Sequence, residues 1–459
     1  MLFSSLVFLF TFLPITLLVY YLVPRKVKNV VLLIASLIFY AWGEPVYIFL
    51  MLISILFNYF CGMDIALKAG RKSQVRSLIF TIVVNLFILG FFKYYGFIVT
   101  NLNAILPFYI PYRKLELPIG ISFYTFQTLS YIIDVSRGNV DVQVNLIDFG
   151  TYVTMFPQLI AGPIVQYADV ERQLRERKES LTKFGYGAWF FVMGLAKKVL
   201  LANTIGSIYE NIAAMDGMSV VTAWLGCLAY TFQIYFDFSG YSDMAVGLGK
   251  MFGFEFMQNF NYPYISKSIT EFWKRWHISL TSWFRDYVYI PLGGNRCSNV
   301  KHCFNLFVVW ILTGVWHGAN WTFIVWGLTY FILQFLEKKL IPIHKVGKWG
   351  HIYTMCCVVI CWVIFRSESV MSAFHYIVKM FGIGVPFVDE TSLLTLKGVG
   401  GLLVISVFAC IPWKDSAIVN RVPKSVRYLL TQIGILVVFI VSILSIMNGN
   451  YSPFVYFNF

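Results

Sequence analysis

Residues 271–294 read EFWKRWHISLTSWFRDYVYIPLGG, and residues 316–321 read WHGANW. Charged Glu271, Lys274 and Arg275 alternate here with Phe272, Trp273, Trp276 and Trp283, and two of the chain's six histidines, His277 and His317, stand beside tryptophans. The stretch is too charged for a plain membrane span and too aromatic for a free loop. A titratable ring in apolar surroundings costs solvation free energy unless it is hydrogen-bonded or used. At helical spacing Trp273, His277, Leu280 and Phe284 fall on one side and Lys274 and Arg275 elsewhere. Arg275, Arg285 and Asp286 are thus expected to supply charge at the mouth of a cavity. Pro291 and Gly293-Gly294-Asn295 end the stretch in a turn, leaving Arg296 available to an anionic group.

Residues 304–316 form an apolar run of 13 residues before His317-Gly318. At about 1.5 Å per residue, such a run is too short for a hydrocarbon core of about 30 Å. His317 is therefore expected well below the outer surface. A neutral imidazole there could take the proton from a hydroxyl as its oxygen attacks a thioester.

The rest of the chain is built for lipid. Of 459 residues, 58% are hydrophobic and only 13% charged, 44 are Phe, and mean hydropathy is +0.71. Soluble domains carry about 25% charged residues, so a cytoplasmic enzyme is excluded. Apolar spans recur from end to end, which predicts one continuous all-α, polytopic membrane domain over 1–459. The net charge of +14 comes from basic residues gathered in short connections, where the positive-inside rule explains them without a nucleic-acid partner. The eight cysteines show neither a disulfide framework nor metal-ligand spacing, and the six histidines form no ligand cluster, so no metal is expected.

Residues 2–23 read as a retained first span ending at Pro24-Arg25-Lys26, whose charge places the N-terminus outside. A hairpin follows around Gly43-Glu44-Pro45, then a basic connection at Lys68, Arg71, Lys72 and Arg76, then a crossing over 78–100. Residues 122–130, SFYTFQTLS, should face protein or a cavity. From Thr151, Pro157 and Gly162-Pro163 interrupt an apolar stretch in the manner of a broken or re-entrant helix. Residues 169–183 suggest an amphipathic surface helix, and Lys197-Lys198 a membrane boundary. Asp237 and Asp243 are open to two readings, a proton or substrate site and caps of a following helix. Residues 321–336, 351–365, 399–409 and 429–447 are further spans, with 372–380 at the interface. Basic connections hold Lys345 and Lys348, then Lys414, Arg421, Lys424 and Arg427; the tail NGNYSPFVYFNF stays outside with the N-terminus. Ten to twelve helical segments are expected in all.

Tyr289-Ile290-Pro291-Leu292-Gly293-Gly294, preceded by Arg275-Trp276-His277 and followed by Trp316-His317-Gly318, resembles the membrane-bound O-acyltransferase superfamily. Within it the chain is similar to the bacterial alginate O-acetyltransferase branch, with the teichoic acid D-alanyl transferase membrane subunit as a relative. The similarity runs from the N-terminal spans through Gln158-Leu159-Ile160-Ala161-Gly162-Pro163 to beyond Trp326. It implies a ring of tilted helices around a central funnel, His317 as the catalytic histidine, and His277 as the second. Trp273, Arg275, Trp276, Arg285, Asp286, Trp316, Asn320 and Gln158 are the expected substrate contacts. No cofactor is expected to stay bound; acetyl-CoA is the expected donor. The resemblance further implies a bacterial cytoplasmic membrane, an envelope polysaccharide as acceptor, and a separate extracytoplasmic partner of serine-hydrolase type, since no nucleophile-elbow motif is present. Two other readings stand beside it. One is D-alanyl transfer from a carrier-protein thioester to teichoic acid; the other is a transporter using the histidines and Asp237/Asp243 as a proton relay.

Overall fold

In the computed structural model, residues 1–459 are described except 114, 161, 216, 341–346, 414–420, 450–453 and 455–459. All regular structure among them is helical. Seven helical stretches are long and apolar enough to cross a membrane: Arg25–Gly43, Tyr47–Leu67, Arg71–Asn103, Leu181–Ala213, Trp349–Arg366, Glu390–Ala409 and Lys424–Met447. The chain is an all-α, multi-pass membrane protein. Its breaks are more numerous than the periodicity suggests, with nineteen α-helices among the described residues. The basic positions Lys345 and Lys414, and all of the tail from residue 450 except Phe454, lie outside the described residues.

The helices group into two compact units, Met1–Phe191 with Ser242–Met257, and Val192–Tyr241 with Gln258–Phe459. In the first unit, α1 (Leu13–Leu22) follows a π-helical turn, and α2 (Lys28–Gly43) and α3 (Tyr47–Leu67) form the hairpin around Gly43-Glu44-Pro45. After α4 (Arg71–Asn103) comes α5 (Ile121–Arg137). The polar-aromatic run SFYTFQTLS lies in α5 and is buried throughout, as a segment that cannot face lipid must be. The chain then breaks into α6 (Leu146–Thr154) and α7 (Phe156–Leu159), with Met155 extended between them and Pro157 in the first turn of α7. Residues 149–159 are buried, and the interruption fits the expected broken helix. Helix α8 (Tyr167–Glu176) is amphipathic as expected, with Tyr167, Val170 and Leu174 buried against protein and Asp169, Arg172, Arg175 and Glu176 exposed. Arg177 donates from Nε to the Tyr20 hydroxyl and the Phe252 carbonyl.

Helix α9 (Leu181–Ala196) continues through a π-helical turn, Lys197–Ala202, into α10 (Asn203–Ala213). Lys198 lies midway along the 33-residue stretch Leu181–Ala213 and is 5% exposed, and its ammonium pairs with the Asp237 carboxylate, itself 1% exposed. That partner is why a lysine survives so deep. Asp237 and Asp243 cap nothing, because α11 (Val220–Met251) runs through both without a break.

In the second unit, α12 (Ile269–Arg275), α13 (Ile278–Phe284) and a π-helical turn at Arg285–Tyr289 are short and irregular. Helices α14 (Asn299–His317) and α15 (Trp321–Lys339) form a tight hairpin. Helix α14 begins five residues before the apolar run, because Ser298 caps it by accepting from the Lys301 N–H; its 19 residues reach roughly 28 Å. Then follow α16 (Trp349–Arg366), α17 (Val370–Met380), α18 (Glu390–Ala409) and α19 (Lys424–Met447). Helix α17 packs Met380 against Ala223, Cys227, Val359 and Val363.

Candidate active site

The helical face expected over 273–284 does not form. Helix α12 ends at Arg275, Trp276 is extended, and His277 takes a left-handed conformation at φ 46°, one of two non-glycine residues with positive φ among those described. This costs a non-glycine residue of order 1–3 kcal/mol and persists only where its surroundings over-determine it. They do so here through Asn259. Its backbone carbonyl accepts the Ile278 N–H at 2.9 Å. Its side-chain Oδ1 accepts the Ser279 N–H at 3.0 Å and the Ser279 hydroxyl at 3.0 Å, and lies 3.2 Å from His277 Nδ1. Asn259 therefore caps α13 from another part of the chain, where His277 in the N-cap position makes no side-chain capping bond.

His277 is fully buried. Its ring meets the Phe238 edge at 4.7 Å and lies 6.0 Å from the Trp316 ring. Burial holds the imidazole well below its ordinary pKa, so it is neutral at pH 7. His317 is the last residue of α14 and 4% exposed. Trp316 stands at 5.1 Å from it, Trp326 at 5.0 Å and Phe365 at 5.1 Å. Trp316 thus has two histidine rings near it, one supplied by the α12–α13 break and one by the end of α14.

A cavity of about 200 Å³ is lined in part by residues near the two histidines in sequence, though by neither histidine itself. Trp273, Leu280 and Thr281 come from either side of His277, Trp310 and Thr313 from the turns before His317, and Arg285, Gln334 and Lys338 add the polar lining. The walls are mainly aromatic and aliphatic, with a few polar groups, as ligand sites are. Trp273 is 5% exposed and its indole N–H is buried with no acceptor among the described residues.

The other expected contacts divide. Arg285 lines the cavity but is held by both oxygens of Asp286, at 2.7 and 2.9 Å. Arg275 pairs with Glu271 and donates to the Asn261 carbonyl, so it fixes the end of α12 and supplies no charge to the cavity. Trp276 is buried, stacked on Phe272, edge-on to Phe260 and tilted against Trp362. Asn320 caps α15 through Thr322 and donates to the Glu368 carbonyl. Gln158 belongs to the first unit, where its Nε2 donates to the Tyr152 carbonyl and its Oε1 is buried without a donor. Asn259 was not legible as a site residue, since nothing in QNFNYP links it to a histidine 18 positions on. The one described residue of the tail, Phe454, is 2% exposed and packs on Tyr241 at 5.0 Å and Phe238 at 6.0 Å. That part of the tail lies inside the second unit and does not hang free.

The histidines, aromatic cage and cavity suit acyl transfer to a hydroxyl, and comparison with known proteins agrees. Over the full length of both chains, this one is 40% identical to "Probable alginate O-acetylase AlgI" of Pseudomonas aeruginosa. It is 34% identical to the peptidoglycan O-acetyltransferase of Helicobacter pylori, over 83% of this chain and 80% of that one. With the teichoic acid D-alanyltransferase of Bacillus subtilis it shares 30% identity, over 50% of this chain and 61% of that one. The model of the membrane-bound O-acyltransferase family matches residues 34–374, and the chain belongs to that family.

Proposed function

We propose that the protein moves an acetyl group from acetyl-CoA on the cytoplasmic side toward hydroxyls of an extracytoplasmic envelope polysaccharide, by way of a separate serine-hydrolase-type partner. The observation that carries this reading is the pair His277 and His317 near one tryptophan, with a cavity lined by other residues of the same helices, α12, α13 and α14. The acetyl-pantetheine arm suits a narrow, mostly apolar cavity, and Lys338 in its wall offers a cation to the phosphates. A histidine Nε2 lone pair takes the proton of the acceptor hydroxyl as its oxygen attacks the thioester carbonyl. The C–S bond breaks, and the departing CoA thiolate regains that proton from the imidazolium. Trp316 and the surrounding rings keep water out, which protects the thioester from hydrolysis.

In this reading residues 1–459 act as one membrane-embedded acyltransferase, with tilted helices around a funnel and both termini on the outer side. Acetyl is preferred to D-alanyl because relatives matching most or all of the chain carry O-acetylation in their names, whereas the D-alanyl relative matches half. The test is release of CoA from radiolabelled acetyl-CoA by protein in lipid with its partner, comparing wild type with His317→Ala and His277→Ala. Histidine-dependent release with label on partner or polymer supports the proposal. No release by folded wild type would sink acetyl-CoA as donor and favour a carrier-borne thioester.

A further inference from the structure

The structure assigns Asn259 as the residue that fixes the tautomer of His277, making Nδ1 the protonated nitrogen and Nε2 the basic one. This rests on the reading of His277 as part of the acyl-transfer site and names the group that prepares it.

The argument begins with a donor that has no choice. The backbone N–H of Ser279 can only donate, and it lies 3.0 Å from the Asn259 side chain, so the atom facing it must be the amide oxygen and not the NH₂. Rotating the amide would set two donors against each other in a buried place, at the cost of an unsatisfied backbone group. The Ser279 hydroxyl donates to the same oxygen at 3.0 Å. His277 Nδ1 approaches that oxygen at 3.2 Å, and since an amide oxygen cannot donate, Nδ1 must carry the hydrogen. A neutral imidazole has one N–H. Burial keeps this ring neutral, so its lone pair is on Nε2. Backbone geometry thus passes through one amide to decide which ring atom can accept a proton.

The plainer role is a helix cap: Asn259 satisfies both the Ile278 and the Ser279 N–H at the start of α13. A cap would do that work whatever the imidazole did. The two roles separate in Asn259→Asp. A carboxylate caps at least as well and adds favourable charge at the helix N-terminus. It also accepts the same three hydrogen bonds, but its charge stabilises the imidazolium and raises the His277 pKa.

Protein with ¹⁵N-labelled histidine, reconstituted in lipid, is examined by solid-state NMR, with His277→Gln identifying the His277 signals. Wild type is expected to show a neutral ring protonated at Nδ1. In Asn259→Asp, folding should be kept, while acetyl transfer falls by roughly tenfold between about pH 8 and about pH 6, where wild type holds its rate. Asn259→Ala should lower kcat by about 10²-fold with KM little changed. A His277 ring protonated at Nε2, or an Asn259→Asp pH profile that overlays wild type, overturns the assignment. The two readings fail separately. If His277→Gln transfers at the wild-type rate, His277 is not the base, while the NMR signal still reports whether Asn259 sets the tautomer.

Discussion

Helices α14 and α15 meet through two glycines, and Gly327→Ala should damage the site from a distance. A methyl at Gly327 would fall more than half an ångström inside 3.0 Å, the closest approach real Cβ atoms make, against the backbone carbonyl of Trp310; Gly314 stands in the same relation to Phe323. A carbonyl held in a helix ladder cannot swing aside as a side chain can. The hairpin must therefore open by roughly half an ångström or more, at about 1–3 kcal/mol for overpacking. Trp310 walls the cavity and His317 ends the same helix two turns on, so both move with it. Displacements approaching 1 Å cost roughly 10²-fold in well-aligned reactions. The expected result is a large loss of CoA release with a modest loss of stability, read by denaturant titration of the same preparation. Gly434→Ala, on α19 with open space around the new Cβ, is the control and should change neither. Wild-type activity in Gly327→Ala would refute the claim that this contact sets the position of His317.

Asp237→Asn should destabilise by about 3–5 kcal/mol, since it leaves the Lys198 ammonium buried without its carboxylate; replacing the pair together with Lys198→Met and Asp237→Leu should recover most of it, read by unfolding in detergent. Activity returning with stability in that double variant would mark the pair as structural and remove the proton-relay reading. Lys338→Ala should raise KM for acetyl-CoA several-fold with little change in kcat, as loss of a uniform binding contact does; an unchanged KM would exclude the cavity as the donor site. Burial opposes the charge on Glu179, but hydrogen bonds from Tyr20 and Lys28 outweigh it and leave the carboxyl below its ordinary 4.5. A depressed carboxylate stabilises above its unfolded pKa, and the contribution is lost as pH falls through the lower folded value. Glu179→Gln should accordingly flatten the acid limb of stability below about pH 4.5, while leaving the neutral range lower throughout.

Much of this molecule is legible one residue at a time. Apolar runs set the spans because a backbone in lipid must satisfy its own hydrogen bonds, and Gly43-Glu44-Pro45 and Pro157 mark breaks that the chain does make. The motifs around His277 and His317 announce the family and put both histidines where they are found, deep among aromatic rings. Other features depend on partners far away in sequence. Lys197-Lys198 reads as a boundary because nothing local reveals that Asp237, 39 residues later, will neutralise Lys198. Arg275 and Arg285 read as charges for a ligand for a different reason: their partners Glu271 and Asp286 are close in sequence, but the pairing shows only once the side chains are placed.

Composition and pattern by themselves determined the solvent this protein lives in, its helical class and its family, because those follow from local periodicity and motif. Only tertiary structure decided that α12 and α13 break at His277, that Asn259 orients its ring, and that α14 and α15 close to glycine contact. Each of these is a pairing of groups distant along the chain. Hydrogen-bond direction and close packing exist only once folding has brought such groups within about 3–4 Å.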